Sequence, residues 1–142
     1  MISSLLSSLG YAAAYSLLGV VLLVVGFGVL DILTPGHLAR QIWTEGSVNA
    51  GLVLSTGFLG QGIIVFTAIW TNGESGFGAA FLSTAVFGLL GVLLQAVAFV
   101  LIDLATPGKL GDVVCEVPFH PASLVTASAQ LAVSLAVVAS IV

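Results

Sequence analysis

Four long, unbroken apolar runs constrain this chain more than any other feature. They cover residues 11–30, 48–70, 79–102 and 122–142. A helix needs ~20 apolar residues to cross the hydrocarbon of a bilayer. The runs do not alternate, and each is longer than the ~10 residues of a barrel strand, which disfavours a β-barrel. The breaks hold the turn-forming residues and almost all the charge: Thr34-Pro35-Gly36, Thr71-Asn72-Gly73-Glu74-Ser75-Gly76 and Thr106-Pro107-Gly108. The prediction is an all-α integral membrane protein with four transmembrane helices.

Composition agrees. Of 142 residues, 59% are hydrophobic and only 6% charged, two basic (Arg40, Lys109) against six acidic. A soluble domain carries ~25% charged residues. A soluble enzyme, a disordered chain and a nucleic-acid binder are excluded, the last because two basic residues make no footprint for a phosphate backbone. The expected partner is the lipid bilayer. Cys115 is the only cysteine, so no intrachain disulfide or cysteine metal cluster can form. The first residues lack a basic n-region and an A-x-A site, and are read as mature sequence lying in the interface.

The chain repeats itself at an offset of 72 residues. Residues 17–38 and 89–110 share 12 identities in 22 ungapped positions. Asp31-x-x-Thr34-Pro35-Gly36-x-Leu38 falls in register with Asp103-x-x-Thr106-Pro107-Gly108-x-Leu110. Apolar bias does not produce that second motif in register. The division is residues 1–72 and 73–142. Each unit has two spans, so both point the same way across the membrane, related by an axis along its normal. Both Thr-Pro-Gly loops then lie on one side and the termini on the other. The loops carry both basic residues, and the positive-inside rule makes them cytoplasmic and the termini external.

A duplicated Asp-x-x-Thr-Pro-Gly-x-Leu element at the end of a span, in a four-span chain of this length, resembles the domain-of-unknown-function 350 family. The resemblance covers both repeats. It implies a small, multi-pass bacterial inner-membrane protein linked to envelope biology, with no established activity. Asn49 is matched by Pro121 in the second repeat, so an amide role there cannot be two-fold.

The candidate motif residues are Asp31, Thr34, Pro35, Gly36, Asp103, Thr106, Pro107 and Gly108. A carboxylate at a helix C-terminus is unfavourable unless compensated. One reading is a turn staple: Asp31 accepts from the Thr34 hydroxyl and nearby N–H groups, and Thr34 N-caps a short helix with Pro35 first and Leu38 and Ile42 on its interfacial face, Leu110 and Val114 repeating this. Another is a cation or proton site of two symmetry-related carboxylates. A third is partner docking. His37, His120 and Cys115 are not repeat-matched and lack metal-ligand spacing, so interfacial histidines are expected. No metal, cofactor or catalytic residue is assigned.

Small residues fall at alternating spacings of four and three, a single helix face. These are Ala12, Ser16, Gly19 and Gly26 with Leu23 in span one, and Thr84, Gly88, Gly91, Gln95 and Ala98 in span three. Span two has Gly51, Ser55, Phe58 and Gly62, and span four has Ser123, Ala127, Gln130 and Ser134. Such faces mark close helix contacts in membranes. The intramembrane polar residues are Gln61, Gln95 and Gln130. Gln95 and Gln130 lie at one depth and are expected to bond across the span three–span four contact, where the first repeat has Leu23 and Phe58.

The expected function is a homo-oligomeric scaffold, or a subunit for a membrane-protein partner, and not an enzyme. The alternative is a homo-oligomeric ion or small-solute channel using the duplicated motif.

Overall fold

A computed structural model describes all 142 residues. The elements are α1 (Ile2–Leu33), α2 (Leu38–Trp43), α3 (Val48–Thr71), α4 (Phe77–Ala105), α5 (Leu110–Cys115) and α6 (Pro121–Ile141). The four long helices are apolar and long enough to cross a membrane. The chain is a multi-pass, all-α membrane protein. α1 starts nine residues before the expected span, at Ile2 rather than Tyr11. Its 32 residues reach ~48 Å at ~1.5 Å per residue, beyond the ~30 Å hydrocarbon core. The Ser4 and Ser7 hydroxyls donate to the carbonyls of Met1, Ser3 and Ser4, returning the early serines to the helix.

α3 and α6 run parallel and in register through the centre. Thr56 meets Gln130 and Gly60 meets Ser134. α4 packs antiparallel to both, with Gln95 against Gly57 and Ser134, and Gly88 against Gln61. α1 lies outside, alongside α4. Leu22 fills the space over Gly88, while Tyr11 and Tyr15 pack on Phe77 at ring separations of 4.7 and 5.6 Å.

Glycine decides this packing. A Cβ on Gly60 would lie 2.1 Å from the Ser134 hydroxyl and 2.9 Å from the Gln95 amide nitrogen. The expected face is buried on α4 (Thr84, Gly88, Gly91, Gln95) and on α6 (Ser123, Ala127, Gln130, Ser134). On the first two long helices it is not. Ser55 and Gly62 are exposed, and α3 buries Val53, Gly57, Gly60, Gln61 and Ile64 instead. α1 exposes Ala12 and Ser16 of that face, half-buries Gly19, Leu23 and Gly26, and buries Leu22 and Leu30 beside them. α3 sits between α4 and α6, and only the side bearing Gly57 and Gly60 lets both approach.

Gly60→Ala should lower stability by about 1–3 kcal/mol, the cost of overpacking a close contact. Gly62→Ala, with nothing within 4 Å of its Cβ, should not lower it, since helix propensity favours Ala there by up to about 1 kcal/mol. Unfolding of both variants in detergent measures the difference.

Candidate functional site

The densest polar chemistry lies where the two Thr-Pro-Gly loops meet, at the C-termini of α1 and α4. A helix end leaves its last carbonyls without partners, and hydrocarbon supplies none. The Thr34 hydroxyl donates to the Leu30 carbonyl at 2.9 Å, and the Thr106 hydroxyl to that of Ile102 at 3.0 Å. Gly36 and Gly108 then take φ of +89° and +108°, which reverses the chain. The reversal brings the Leu38 N–H to the Asp31 Oδ1 at 2.6 Å. The N–H groups of Leu110 and Gly111 meet the Asp103 Oδ1 in the same way.

Each carboxylate thus tethers the first turn of a short helix that starts seven residues later. Three details of the expected staple change. Thr34 closes α1 rather than capping α2, whose N-cap is His37. The Thr34 hydroxyl donates to a helix carbonyl and not to the Asp31 carboxylate: the Leu30 carbonyl accepts both the Thr34 N–H and the Thr34 hydroxyl. Pro35 belongs to the loop rather than to the first turn of α2. The short helices also sink further than an interfacial position. Leu38, Leu110 and Val114 are buried in the apolar core with Leu30, Val53 and Phe99.

The two loops are latched to each other. The Pro35 carbonyl accepts from the Gln41 amide at 2.7 Å and from the Cys115 thiol at 3.0 Å. Gly111 tucks under the Pro35 ring, where a Cβ would lie 2.9 Å from Cδ. Burial pushes the Cys115 thiol above its ordinary pKa, against a smaller opposing pull from its hydrogen bond with Gln41. The thiolate fraction at neutral pH is therefore reduced.

A second clamp joins the start of α3 to the segment between α5 and α6. Ser47 N-caps α3 and donates to the carbonyls of Val114 and Glu116 at 3.0 and 2.8 Å. The fully buried Asn49 donates to Glu116 and Pro118 and accepts from the His120 N–H at 2.9 Å. Asn49 lacks a two-fold counterpart because the segment it holds lies only in the second half. The sequence signalled this through the Asn49/Pro121 mismatch, but not the partners. Ser47 and Gln41 carried no signal in the sequence, since the Ser47 acceptors and the Cys115 sulfur that Gln41 meets lie about seventy residues away.

The histidines are engaged separately. His37 is exposed, with Nδ1 3.9 Å from the Asp31 Oδ2. His120 caps α6, its Nδ1 accepting from the Ala122 N–H at 3.1 Å. They are not gathered with Cys115, which is held at Pro35.

The three intramembrane glutamines are buried. Gln61 donates to the Gly88 carbonyl at 2.8 Å. Gln95 donates to the Ser134 hydroxyl at 2.8 Å, and Gln130 accepts from Thr56 at 3.2 Å. Gln95 and Gln130 face the interior as expected, but they do not bond to each other. Gln95 crosses to α6 through the Ser134 hydroxyl instead, while the Gln130 oxygen accepts from Thr56 on α3. The Gln61 Oε1 and Gln130 Nε2 are buried without a hydrogen-bond partner.

Four apolar helices, two tethered loops and a polar seam define a multi-pass membrane protein of uncharacterised type. Its sequence places it more closely: residues 4–141 match the Domain of Unknown Function (DUF350) family, and the chain belongs to it. It is 35% identical over 119 residues to a UPF0719 transmembrane protein of Mycolicibacterium paratuberculosis, covering 84% of this chain and 78% of the relative. UPF0719 transmembrane proteins of Mycobacterium bovis and Mycobacterium tuberculosis are each 30% identical over 127 residues, covering 89% of this chain and 83% of theirs. No solved structure matches it.

Asp31→Asn and Asp103→Asn should each cost about 1–2 kcal/mol, the value of a hydrogen bond to a charged acceptor. Chemical denaturation in detergent checks this. Because Asn keeps an acceptor oxygen, Asp31→Ala and Asp103→Ala complete the test, and unchanged stability in these two would remove the tether.

Proposed function

We propose that the protein is an oligomeric scaffold, or partner subunit, of the bacterial inner membrane that serves the cell envelope. It is built from two units, residues 1–72 and 73–142, pointing the same way across the bilayer. One observation carries this reading. Ala127, Gln130 and Ser134 are buried on α6, but 72 positions earlier Ser55 and Gly62 are exposed on α3 and Phe58 is half-buried. With Leu59, Ile63 and Phe66 these three line an apolar groove of about 660 Å³. The contact pattern occurs twice in the chain and is used internally once. A second copy crosses the bilayer in the same orientation and supplies a helix of matching register.

The side chains best able to do chemistry support a non-enzymatic role. Asp31, Asp103 and His120 each hold a backbone N–H. The channel reading draws instead on the unpartnered amide atoms of Gln61 and Gln130 inside the bundle. Cation or solute flux into vesicles that vanishes in Gln61→Leu, with assembly intact, would favour it over the scaffold.

In mild detergent, the protein's mass should be a multiple of 14.3 kDa, and Gly62→Leu should return it to the monomer. A monomeric unaltered chain would overturn the oligomer.

Arg40 in α2 and Lys109 at the start of α5 lie beside the two Thr-Pro-Gly loops, which supports a cytoplasmic position for those loops and external termini. An impermeant thiol reagent added to intact cells at mildly alkaline pH, to offset the raised thiol pKa, should leave Cys115 unlabelled until lysis. Labelling beforehand reverses the orientation.

A further inference from the structure

Beside the latch, a cleft of about 380 Å³ opens between the two loops. Its floor and walls include Ile32, Leu33, Thr34, Asp103, Lys109 and Asp112. Three of these side chains can be charged, and the charges do not close on one another. Arg40, the other basic residue, pairs with Glu45 at 3.4 Å, whereas Lys109 has no carboxylate within 4.0 Å. Asp103 commits Oδ1 to the Leu110 and Gly111 N–H groups, and its second oxygen makes no hydrogen bond. The Thr34 hydroxyl is turned back to the Leu30 carbonyl. The cleft therefore offers one cation and two carboxylates, held apart, to an occupant carrying both signs of charge.

Its position narrows the occupant. The cleft lies at the C-terminal ends of two membrane-spanning helices, the depth of lipid headgroups. Ile32 on its rim is 84% exposed, and Leu104, the residue after Asp103 at the end of α4, is 77% exposed. That surface suits acyl chains below a headgroup. We propose that the cleft binds the headgroup of a phosphatidylethanolamine-type lipid, with its phosphate at Lys109 and its primary ammonium between Asp103 and Asp112. Two carboxylates oppose a purely anionic headgroup such as phosphatidylglycerol. A quaternary choline has no N–H to donate to them. The primary ammonium has three N–H donors and suits both.

The purified protein is equilibrated with equal amounts of phosphatidylethanolamine, phosphatidylglycerol and phosphatidylcholine, and retained lipid is read by native mass spectrometry. Phosphatidylethanolamine should exceed each of the others by about fivefold, a preference within the reach of a few partly exposed charged contacts. Lys109→Gln and Asp112→Asn should each cut its retention about threefold, while Lys109→Arg preserves it. Both varied residues are exposed, and unchanged circular dichroism checks the fold. Equal retention of the three lipids, or retention indifferent to both variants, overturns the proposal. Soluble phosphoethanolamine should bind far more weakly than the lipid. If it binds equally well, the ligand is a free zwitterion and the lipid assignment fails.

Discussion

Hydrocarbon offers no hydrogen-bond partner to a chain that stops being helical. Each turn out of the bilayer must therefore be satisfied by the protein itself. In this molecule the two Asp carboxylates do much of that work. Each sits in the last turn of a long helix and captures the first N–H of a short helix seven residues on. The capture directs the short helix back under the bundle rather than away from it. That direction puts Leu38, Leu110 and Val114 into the core, and brings Pro35 within reach of Gln41 and Cys115. Remove the tether, and the latch and the buried Leu38, Leu110 and Val114 lose their geometry together.

The same constraint shapes the interior. Lipid-soluble helices gain little by burying leucine, since the tails are as apolar as the side chain. Close backbone approach and internal hydrogen bonds hold them instead. Gly57, Gly60, Gly88 and Gly91 leave the room that Gln61, Gln95, Gln130, Leu22 and Ile64 fill. Interhelical hydrogen bonds in membranes measure ~0.6 kcal/mol on average, so these amides set register more than they add stability. Three buried amide atoms stay unpartnered, Gln61 Oε1 and Gln130 Nε2 inside the bundle and Gln41 Oε1 at the latch.

The halves of the chain share a motif but not an environment. Asn49 and Ser47 clasp the segment before α6, while the second half has Pro121 where the first has Asn49. α4 lies against both α3 and α6, whereas α1 packs beside α4 and leaves most of its first half exposed. The first half accordingly keeps an open apolar groove on α3, lined by Phe58, Leu59 and Phe66.

Sequence by itself determined the four spans, because apolar runs of bilayer length have few other fates, and it located the breaks through Thr-Pro-Gly. It also singled out Asp31 and Asp103, since a carboxylate beside helix carbonyls must find a donor. The inward faces of α4 and α6 were legible from the spacing of Gly88, Gly91, Gln95, Gln130 and Ser134. The same spacing misled for α1 and α3, because a small-residue face says that a helix can be approached, not which neighbour approaches it. Only the tertiary structure decided that Gly57 and Gly60, not Ser55 and Gly62, face the core. It alone paired Gln95 with Ser134, Gln41 with Cys115 and Asn49 with His120. Those choices depend on which distant groups arrive at one depth, and local periodicity carries no record of that.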